Sequence, residues 1–380
     1  MEHNHHVHIV GGGFAGVQAA RTVLRGNPRA TVTMVSNTDY VTMLPALPDI
    51  FSRRVPREAI TRDLLTVFAP FGGRFELVVR EIQHIDLENR YLQDSTGEQH
   101  PYTHLILASG STPEFFGFPN PERLHTVDTY NGATRFMEAC EGHAGSIVVV
   151  GGGYTGLETA TTLRHGGVQD APITVVDAAP HILPFLEDKA RAGIGEYLAE
   201  LDITVRSGVT LNAYDGSRAS LSDGTEISNA LVCWAAGMRG TRFTITPTVE
   251  TTKDFRVKTL PTLQLPGFPT VFVAGDVAAL EKDGAVVRRA INFAWYSGIH
   301  SGKNVIRLWK GRVLKPFTPV DLGWVIPLGK RSRGKVFGSI TVWGNLALRL
   351  HYFMCGVRHF GGAEAFQFIR TASRLSRRFP

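Results

Sequence analysis

The residues of this sequence best placed to do chemistry are glycines. Gly11, Gly12, Gly13, Phe14, Ala15 and Gly16 follow the apolar run Val7 to Val10. Gly151, Gly152, Gly153, Tyr154, Thr155 and Gly156 follow Ile147 to Val150, 140 positions further on. A strand, a G-x-G-x-x-G turn and a helix bring backbone N–H groups and a helix N-terminus up to a pyrophosphate. Gly11, Gly13 and Gly16 would supply the tight turn, the close approach and the helix packing. One such turn is a common glycine loop. Two in the same context call for two dinucleotides, the arrangement needed to move a hydride from a nicotinamide to a flavin.

Single side chains around the two turns sharpen that reading. Asp177 follows the strand Ile173 to Val176, where a carboxylate binds the adenine ribose 2′-hydroxyl. It would repel a 2′-phosphate, and Ala178, Ala179 and Pro180 offer no arginine to hold one, so NADH is favoured over NADPH. The matching place in the first unit holds Ser36, which can hydrogen-bond a ribose but carries no charge. Glu158 lies just inside the second helix and is the candidate catalytic residue, a contact to the nicotinamide side. The plainer account is an acid favoured by the helix dipole. Asp276 ends the run Val273-Ala274-Gly275 and could accept hydrogen bonds from ribityl hydroxyls, although Gly-Asp is also a turn signal.

The elements that position these residues are a duplicated α/β unit. Residues 7–35 read as strand, turn, helix (about Ala15 to Leu24) and strand (Ala30 to Val35). Residues 41–70 read as a helix-containing excursion, with strands expected at Arg74–Val79, Ile82–Leu87, Tyr91–Gln93 and Leu105–Ala108. Pro113 to Pro121 reads as a crossing to a new domain. The second unit starts at Ser146, with a helix over Asp188–Leu201 and a strand at Leu231–Trp234. Val271 to Ala274 is a strand that returns to the first unit. The predicted domains are 1–115 with 262–322 for the first dinucleotide, 116–261 for the second, and a C-terminal segment, 323–380.

Charge and cysteines bound the setting. Residues 1–300 hold 25 Lys/Arg against 32 Asp/Glu, a net of −7, and residues 301–380 hold 15 against 2, a net of +13. A basic tail on an acidic body calls for a polyanionic partner. Cys140, Cys233 and Cys355 form no C-x-x-C, which argues against a disulfide framework, a zinc site or a dithiol centre. The sequence opens on no secretory pattern, so a reducing cytoplasmic setting is expected. His3, His5, His6 and His8 have spacing that could chelate a metal, but the reading is a frayed terminus with no metal.

Taken in order, several stretches resemble the two-dinucleotide flavoprotein reductases. They are Gly11–Gly16, Leu105 to Ser111, Gly151–Glu158, Cys233-Trp234-Ala235-Ala236-Gly237 and Ala274-Gly275-Asp276. Within them the chain is most similar to the type II NADH dehydrogenases, notably over Tyr40 to Ile60, Val176 to Pro184 and the tail from Gly323. The resemblance implies two Rossmann-like domains and FAD over the first, held by Gly11, Gly13, Phe14, Ala15, Gly16, Ser36, Ser109, Gly110 and Asp276, with backbone near Ile82 at the adenine. It implies NADH over the second, held by Gly151, Gly153, Tyr154, Thr155, Gly156, Glu158, Asp177 and Gly237. Where this family carries a glutamine-bearing helix at the quinone site, this chain has Asn292, Phe293, Trp295, Tyr296 and Ser297. Tyr296 could bond a quinone carbonyl, and Trp295 or Phe293 could stack on a ring.

The tail supplies the remaining expectation. Gly338 to Val357 is mostly apolar, but a central Arg349 costs about 2.5–3.5 kcal/mol on the insertion scale, which argues against a spanning helix. Trp343, Leu346, Leu350, Met354 and Val357 share one helical stripe. Past Gly361, Ala365, Phe368, Ile369, Ala372 and Leu375 share another, with Arg370, Arg374 and Arg377 opposite. Such amphipathic helices suit an anionic membrane surface. They also suit packing on the body or on a second subunit of a homodimer; nucleic acid would leave the apolar face without a role. The expected function is NADH oxidation through FAD with a membrane quinone as acceptor and without proton pumping, at the cytoplasmic face, peripherally bound. The alternatives are a sulfide:quinone oxidoreductase, a soluble NADH-dependent reductase of a ferredoxin-like partner, and a non-catalytic NADH-binding redox sensor.

Overall fold

The computed structural model describes residues 5–52, 54–166, 168 and 170–374. Aliphatic, β-branched runs alternate with glycine turns and helices, a pattern that builds parallel sheets covered by helices. The chain forms two compact units. The first comprises the chain up to Val41, Arg62–Thr112 and Met238–Leu322; the second comprises Thr42–Thr61, Pro113–Gly237 and the chain from Gly323.

The first unit is built on a six-stranded sheet. Its order is Gln264–Leu265, Phe268–Val273, Leu105–Leu107, His6–Val10, Thr31–Ser36 and Phe75–Val79, parallel except at the short Gln264–Leu265 edge. The late strand Phe268–Val273 does return to this sheet, pairing Val273 with Leu107. The helix Phe14–Gly26 links the two strands beside the first turn, and its fully buried Val17, Ala19, Ala20 and Val23 face inward. Against it packs the long helix Ile291–Trp309. A Cβ on Gly298 would strike the Ala15 carbonyl, and one on Gly302 would lie 2.8 Å from that of Ala19, so small residues let the two helix backbones approach. A second, four-stranded sheet joins Thr244–Thr246 to Ile82–Asp86, Tyr91–Asp94 and Gln99–Pro101.

The second unit repeats the plan. Its parallel sheet runs His125–Thr126, Ala230–Trp234, Ser146–Val150, Ile173–Asp177 and Ile203–Ser207. The helix Tyr154–Gly166 joins the strands beside the second turn, and Asp188–Glu200 joins the next pair. The core gathers Ile147, Val149, Leu157, Ala160 and Val175 with Leu47, Ile50 and Phe51 of the excursion and Ile326 and Leu328 of the tail. The excursion helix is short, Asp49–Ser52. A Cβ on Gly166 would collide with the Phe51 carbonyl, so the excursion lies directly against the end of the Tyr154–Gly166 helix.

Residues 238–261 pack with the first unit, and 42–61 and 323–374 with the second. Sequence periodicity reports which segments are buried; which core they join is set by contacts far away in the chain.

Two sequence readings are corrected. Of the four histidines read as a frayed terminus, His3 lies outside the described residues, but His6 and His8 belong to the strand His6–Val10. His6 shares a hydrogen bond with Thr31 Oγ1 at 2.7 Å, and burial holds His8 at a pKa of about 4, so its ring is neutral. In the tail, the helix Gly344–Val357 buries Ala347, Leu348, His351, Tyr352 and Cys355, leaving Trp343, Leu346 and Val357 exposed and Leu350 and Met354 half-buried. The last helix, Gly362–Arg374, is the other correction. Phe368 and Ala372 turn inward, and Phe366 and Ile369 are the open apolar residues. Leu375 and Arg377 lie outside the described residues. Among the described residues, no helix is long and apolar enough to cross a membrane.

Candidate functional site

Each glycine turn sits at the C-terminal end of the strand between two crossovers of opposite sense, the place where open parallel sheets hold ligands. The two turns have the same backbone wiring. Gly11 N–H donates to Val35 O (2.8 Å) and Ala108 N–H to Val10 O (2.8 Å). Gly151 N–H donates to Val176 O (2.7 Å) and Ala235 N–H to Val150 O (2.7 Å). Gly11 and Gly151 have φ of +109° and +121°, which only glycine tolerates readily. A Cβ on Gly16 would collide with Gly11 O, and one on Gly156 with Gly151 O. At Gly13 and Gly153, by contrast, a Cβ would meet nothing within 4 Å. Gly13 caps its helix with no side-chain bond, so the first-turn amides are left for another acceptor. Tight where the helix meets the strand and open where the amides point, both turns fit a pyrophosphate.

The residues beneath the turns differ. In the second unit, Asp177 Oδ2 accepts from Gly152 N–H and Oδ1 from Ala179 N–H (2.7 Å). Each oxygen keeps a further lone pair for a ribose hydroxyl. In the first, Ser36 is buried, and its Oγ accepts a long bond from Thr38 N–H (3.4 Å).

The other first-unit candidates surround the same strand ends. Gly110 has φ +77°, and Ser109 carries a buried Oγ with no hydrogen-bond partner among the described residues. Such an orphan fits a ligand contact. Asp276 follows Gly275, whose N–H donates to Ser297 Oγ (2.9 Å). Ser111 Oγ reaches the Asp276 carboxylate at 3.4 Å. Desolvation raises the Asp276 pKa, opposed by Arg289 and the Ser111 hydroxyl. Ile82 is buried at the start of its strand. Phe14 and Ala15 occupy the first turn of their helix, with Phe14 6.2 Å from Trp295 between ring centroids.

Of the acceptor candidates, Asn292 Nδ2 donates to Val320 O (2.8 Å), and Phe293 is in the first unit's core. Trp295 is half-buried and Tyr296 is exposed. Ser297 is buried between Gly275 N–H and Ala294 O. The structure therefore leaves Tyr296 as the exposed residue among these candidates.

In the second unit, Tyr154 and Thr155 open the helix, and Tyr154 stacks on Phe185 at 5.0 Å with Trp324 edge-on to both. Gly237 has φ +84°, and a Cβ there would lie 2.8 Å from the Phe116 ring.

Glu158 is buried in this helix, and a group of side chains invisible to local sequence reasoning stands around it. Tyr352 Oη donates to Asp49 Oδ1 at 2.6 Å, and Ser52 Oγ to the same oxygen at 3.1 Å. Arg54 interacts with both Asp49 and Tyr352. Desolvation pushes the Glu158 carboxyl well above the usual range; Asp49 pushes it further up, and Arg54 opposes. Desolvation likewise raises Asp49, against Arg54, Tyr352 and Ser52. His165 and His351, both near Arg54, are held neutral by burial at a pKa of about 4. Burial and the neighbouring Asp49 thus disfavour the charged form of Glu158. Sequence offered no signal for Asp49, Arg54 and Tyr352 as a group, because they lie on segments about 300 positions apart.

The cysteines are Cys140, Cys233 and Cys355, all buried and free. Burial pushes Cys140 up to about 12 and the other two well above their ordinary value, so none presents a thiolate.

This geometry agrees with the comparisons. The chain belongs to the pyridine nucleotide-disulphide oxidoreductase family, which matches residues 5–309, and is therefore an oxidoreductase by class. It is 32% identical over 302 residues to an NADH dehydrogenase-like protein of Mycobacterium tuberculosis, covering 72% of this chain and 73% of that one. It is 28% identical over 331 residues to the type II NADH:quinone oxidoreductase of the same organism, covering 77% and 71%. Its fold resembles that of NDH2 from Plasmodium falciparum in complex with NADH, with a TM-score of 0.85 over 99% of each chain at 14% identity.

Proposed function

We propose that this protein is a type II NADH dehydrogenase, an FAD-dependent enzyme that passes electrons from NADH to a membrane quinone without pumping protons. The observation that carries this reading is the duplicated, open-amide glycine turn at the switch point of each parallel sheet, one copy underlain by a carboxylate. The two coenzymes held at these turns would supply the hydride and electron-transfer chemistry. The protein's part is binding, orientation and proton handling.

FAD is assigned to the domain formed by residues 1–115 and 262–322 and NADH to 116–261. In the first, the amides after Gly13 hold the pyrophosphate and Ser36 and Asp276 hold hydroxyls. Gly110 lets the backbone approach, Ser109 Oγ finds its missing partner, and Ile82 borders the adenine. In the second, the amides after Gly153 hold the pyrophosphate, Asp177 holds the adenine ribose and selects NADH over NADPH, and Gly237 gives close access. Tyr154 and Thr155 shape the helix entrance. Glu158 orients the nicotinamide and, staying protonated, supplies the proton that a reduced quinone needs. Trp295 and Tyr296 border the acceptor, while Asn292 and Phe293 hold the start of their helix in place.

Residues 323–380 place the protein on an anionic membrane surface, at its cytoplasmic face. What supports this is the exposed run Phe337, Ile340, Trp343, Leu346, Phe353, Val357, Phe366 and Ile369 in a segment whose charge is strongly positive. Sulfide chemistry at a cysteine has no support, since all three thiols are buried and protonated.

Anaerobic mixing tests the reading. NADH should bleach the bound flavin, and a short-chain quinone should restore its colour faster than oxygen does. A flavin that NADH reduces but no quinone reoxidises faster than oxygen overturns the assignment of the acceptor. The membrane part is tested by Trp343→Glu with Leu346→Glu, which should release the protein from anionic vesicles while the flavin stays bound.

A further inference from the structure

The second unit contains a cavity that neither glycine turn uses. It has a volume of about 750 Å³ and lies between the excursion, residues 50–58, and the last helix, Gly362–Arg374. Four arginines line it, Arg54, Arg57, Arg370 and Arg374, against two acids, Glu58 and Glu141, a net of +2. Arg54 is engaged with Asp49 and Tyr352 behind the wall. The other three have no ion-pair partner among the described residues. The Arg57 guanidinium reaches only the Met137 thioether, at 2.8 Å, a weak acceptor.

The last helix explains why the charges converge. Gln367, Arg370, Thr371 and Arg374 are spaced three and four apart and face the cavity. Phe368 and Ala372 face inward, and Phe366 and Ile369 face solvent. The Thr371 hydroxyl donates to Arg54 O (3.4 Å), which ties this helix to the opposite wall. Ile50 and Val55 add an apolar part to the lining. Unpaired like charges held together in one concave site repel one another, and an anion relieves that repulsion. Planar guanidinium forks match the geometry of a phosphate group. The volume exceeds what a bare ion fills and falls in the range of small-molecule sites.

We propose that the cavity walled by Arg57, Arg370 and Arg374 binds a phosphate ester, either of an anionic phospholipid headgroup or of a soluble phosphomonoester. The apolar residues Phe366 and Ile369, open on the same helix, are placed for the acyl part of a lipid. In its lipid form the inference rests on the membrane-surface reading above; in its soluble form it does not.

The test uses the full-length holoprotein and two probes, glycerol 3-phosphate in solution and vesicles of phosphatidylglycerol or phosphatidylcholine. The variant is Arg57→Gln with Arg370→Gln. The control, Lys253→Gln with Arg312→Gln, removes the same charge from exposed positions of the first unit. Arg370→Lys, which keeps the charge but loses the fork, replaces the double variant should that fail to fold. Saturable glycerol 3-phosphate binding, weakened about tenfold or more in the variant and unchanged in the control, assigns a soluble ester. Binding to phosphatidylglycerol vesicles alone, lost in the variant and kept in the control, assigns the lipid. Vesicle binding that falls equally in variant and control, or in neither, without any glycerol 3-phosphate binding, overturns the cavity and leaves the membrane reading standing. Glycerol 3-phosphate binding by a protein that floats on no vesicle overturns the membrane reading and leaves the cavity standing. No saturable binding of either probe overturns both.

Discussion

The two glycine turns share one backbone and differ in what lies beneath and behind them. Beneath the first is Ser36, uncharged and loosely bonded; beneath the second is Asp177, with both oxygens fixed by backbone N–H groups. Behind the first helix is a seam of small residues, Gly298 and Gly302 against Ala15 and Ala19. Behind the second is a buried titratable group, Glu158 with Asp49, Arg54 and Tyr352. A cradle for pyrophosphate is a property of backbone, so duplication reproduces it. Telling one dinucleotide from another is a property of side chains, and there the copies have diverged. Under the first turn the side chain is a neutral hydroxyl, which on the proposed assignment serves a resident flavin. The other became a seat with a fixed carboxylate and a proton-holding acid, suited to a coenzyme that comes and goes.

The comparison breaks most visibly at the third glycine of each turn. Gly16→Ala should yield protein without visible flavin absorbance, while Gly156→Ala should keep flavin and lose reduction by NADH. Each added methyl collides with a backbone carbonyl, which costs about 1–3 kcal/mol or more. Loss of flavin from both variants alike would mean that the turns are not assigned to separate coenzymes.

Next in size is Glu158→Gln. It should lower kcat by about a hundredfold, within the range for a positioned proton donor, with flavin content unchanged. Because the Glu158 pKa is raised, the donor form is present at low pH and is lost as pH rises through that pKa. On the proposed role, the kcat profile should show an alkaline limb set by Glu158. Asp49→Asn, which removes the neighbouring negative charge, should move that limb to lower pH, and Arg54→Gln should move it to higher pH. Limbs that stay in place in both variants would detach the acidic group from turnover.

Smaller effects sharpen the difference between Asp177 and Ser36. Asp177→Ala should weaken NADH binding about tenfold in a stopped-flow titration and narrow the preference over NADPH. Ser36→Ala should change flavin retention by less than about threefold, measured by ultrafiltration. Equal losses would erase the proposed contrast. Tyr352→Phe leaves a buried Asp49 oxygen short of one donor and should lower unfolding stability by about 1–3 kcal/mol in a denaturant titration, with the flavin still bound.

Much of this was legible along the chain. The strand–turn–helix units and the place of Asp177 follow from periodicity of two or 3.6 and from glycines at fixed offsets, which are local properties; the return of Phe268–Val273 to the first sheet was read from its late place in the chain order. The tail helices were legible as helices, but which face is buried was not. On Gly362–Arg374 the apolar residues cover more than one face, and only the packing of Phe368 and Ala372 decides between them. His6 and His8 were misread because histidine in a terminal strand carries no apolar signature until Thr31 and neighbouring elements close around it.

By itself the sequence determined that there are two dinucleotide turns, that one carries an acid, and that positive charge gathers in the last eighty residues. These depend on residues adjacent in the chain, whose geometry the backbone fixes. Only the tertiary structure decided that Asp49 and Arg54 lie near Glu158 with Tyr352 bonded to Asp49, that Asn292 and Phe293 turn inward while Tyr296 stays open, and that Arg57 faces Arg370 and Arg374 across one cavity. The reason is that burial and charge–charge distance are set by segments brought together from hundreds of positions apart, and the order of residues along a chain does not encode a distance through space.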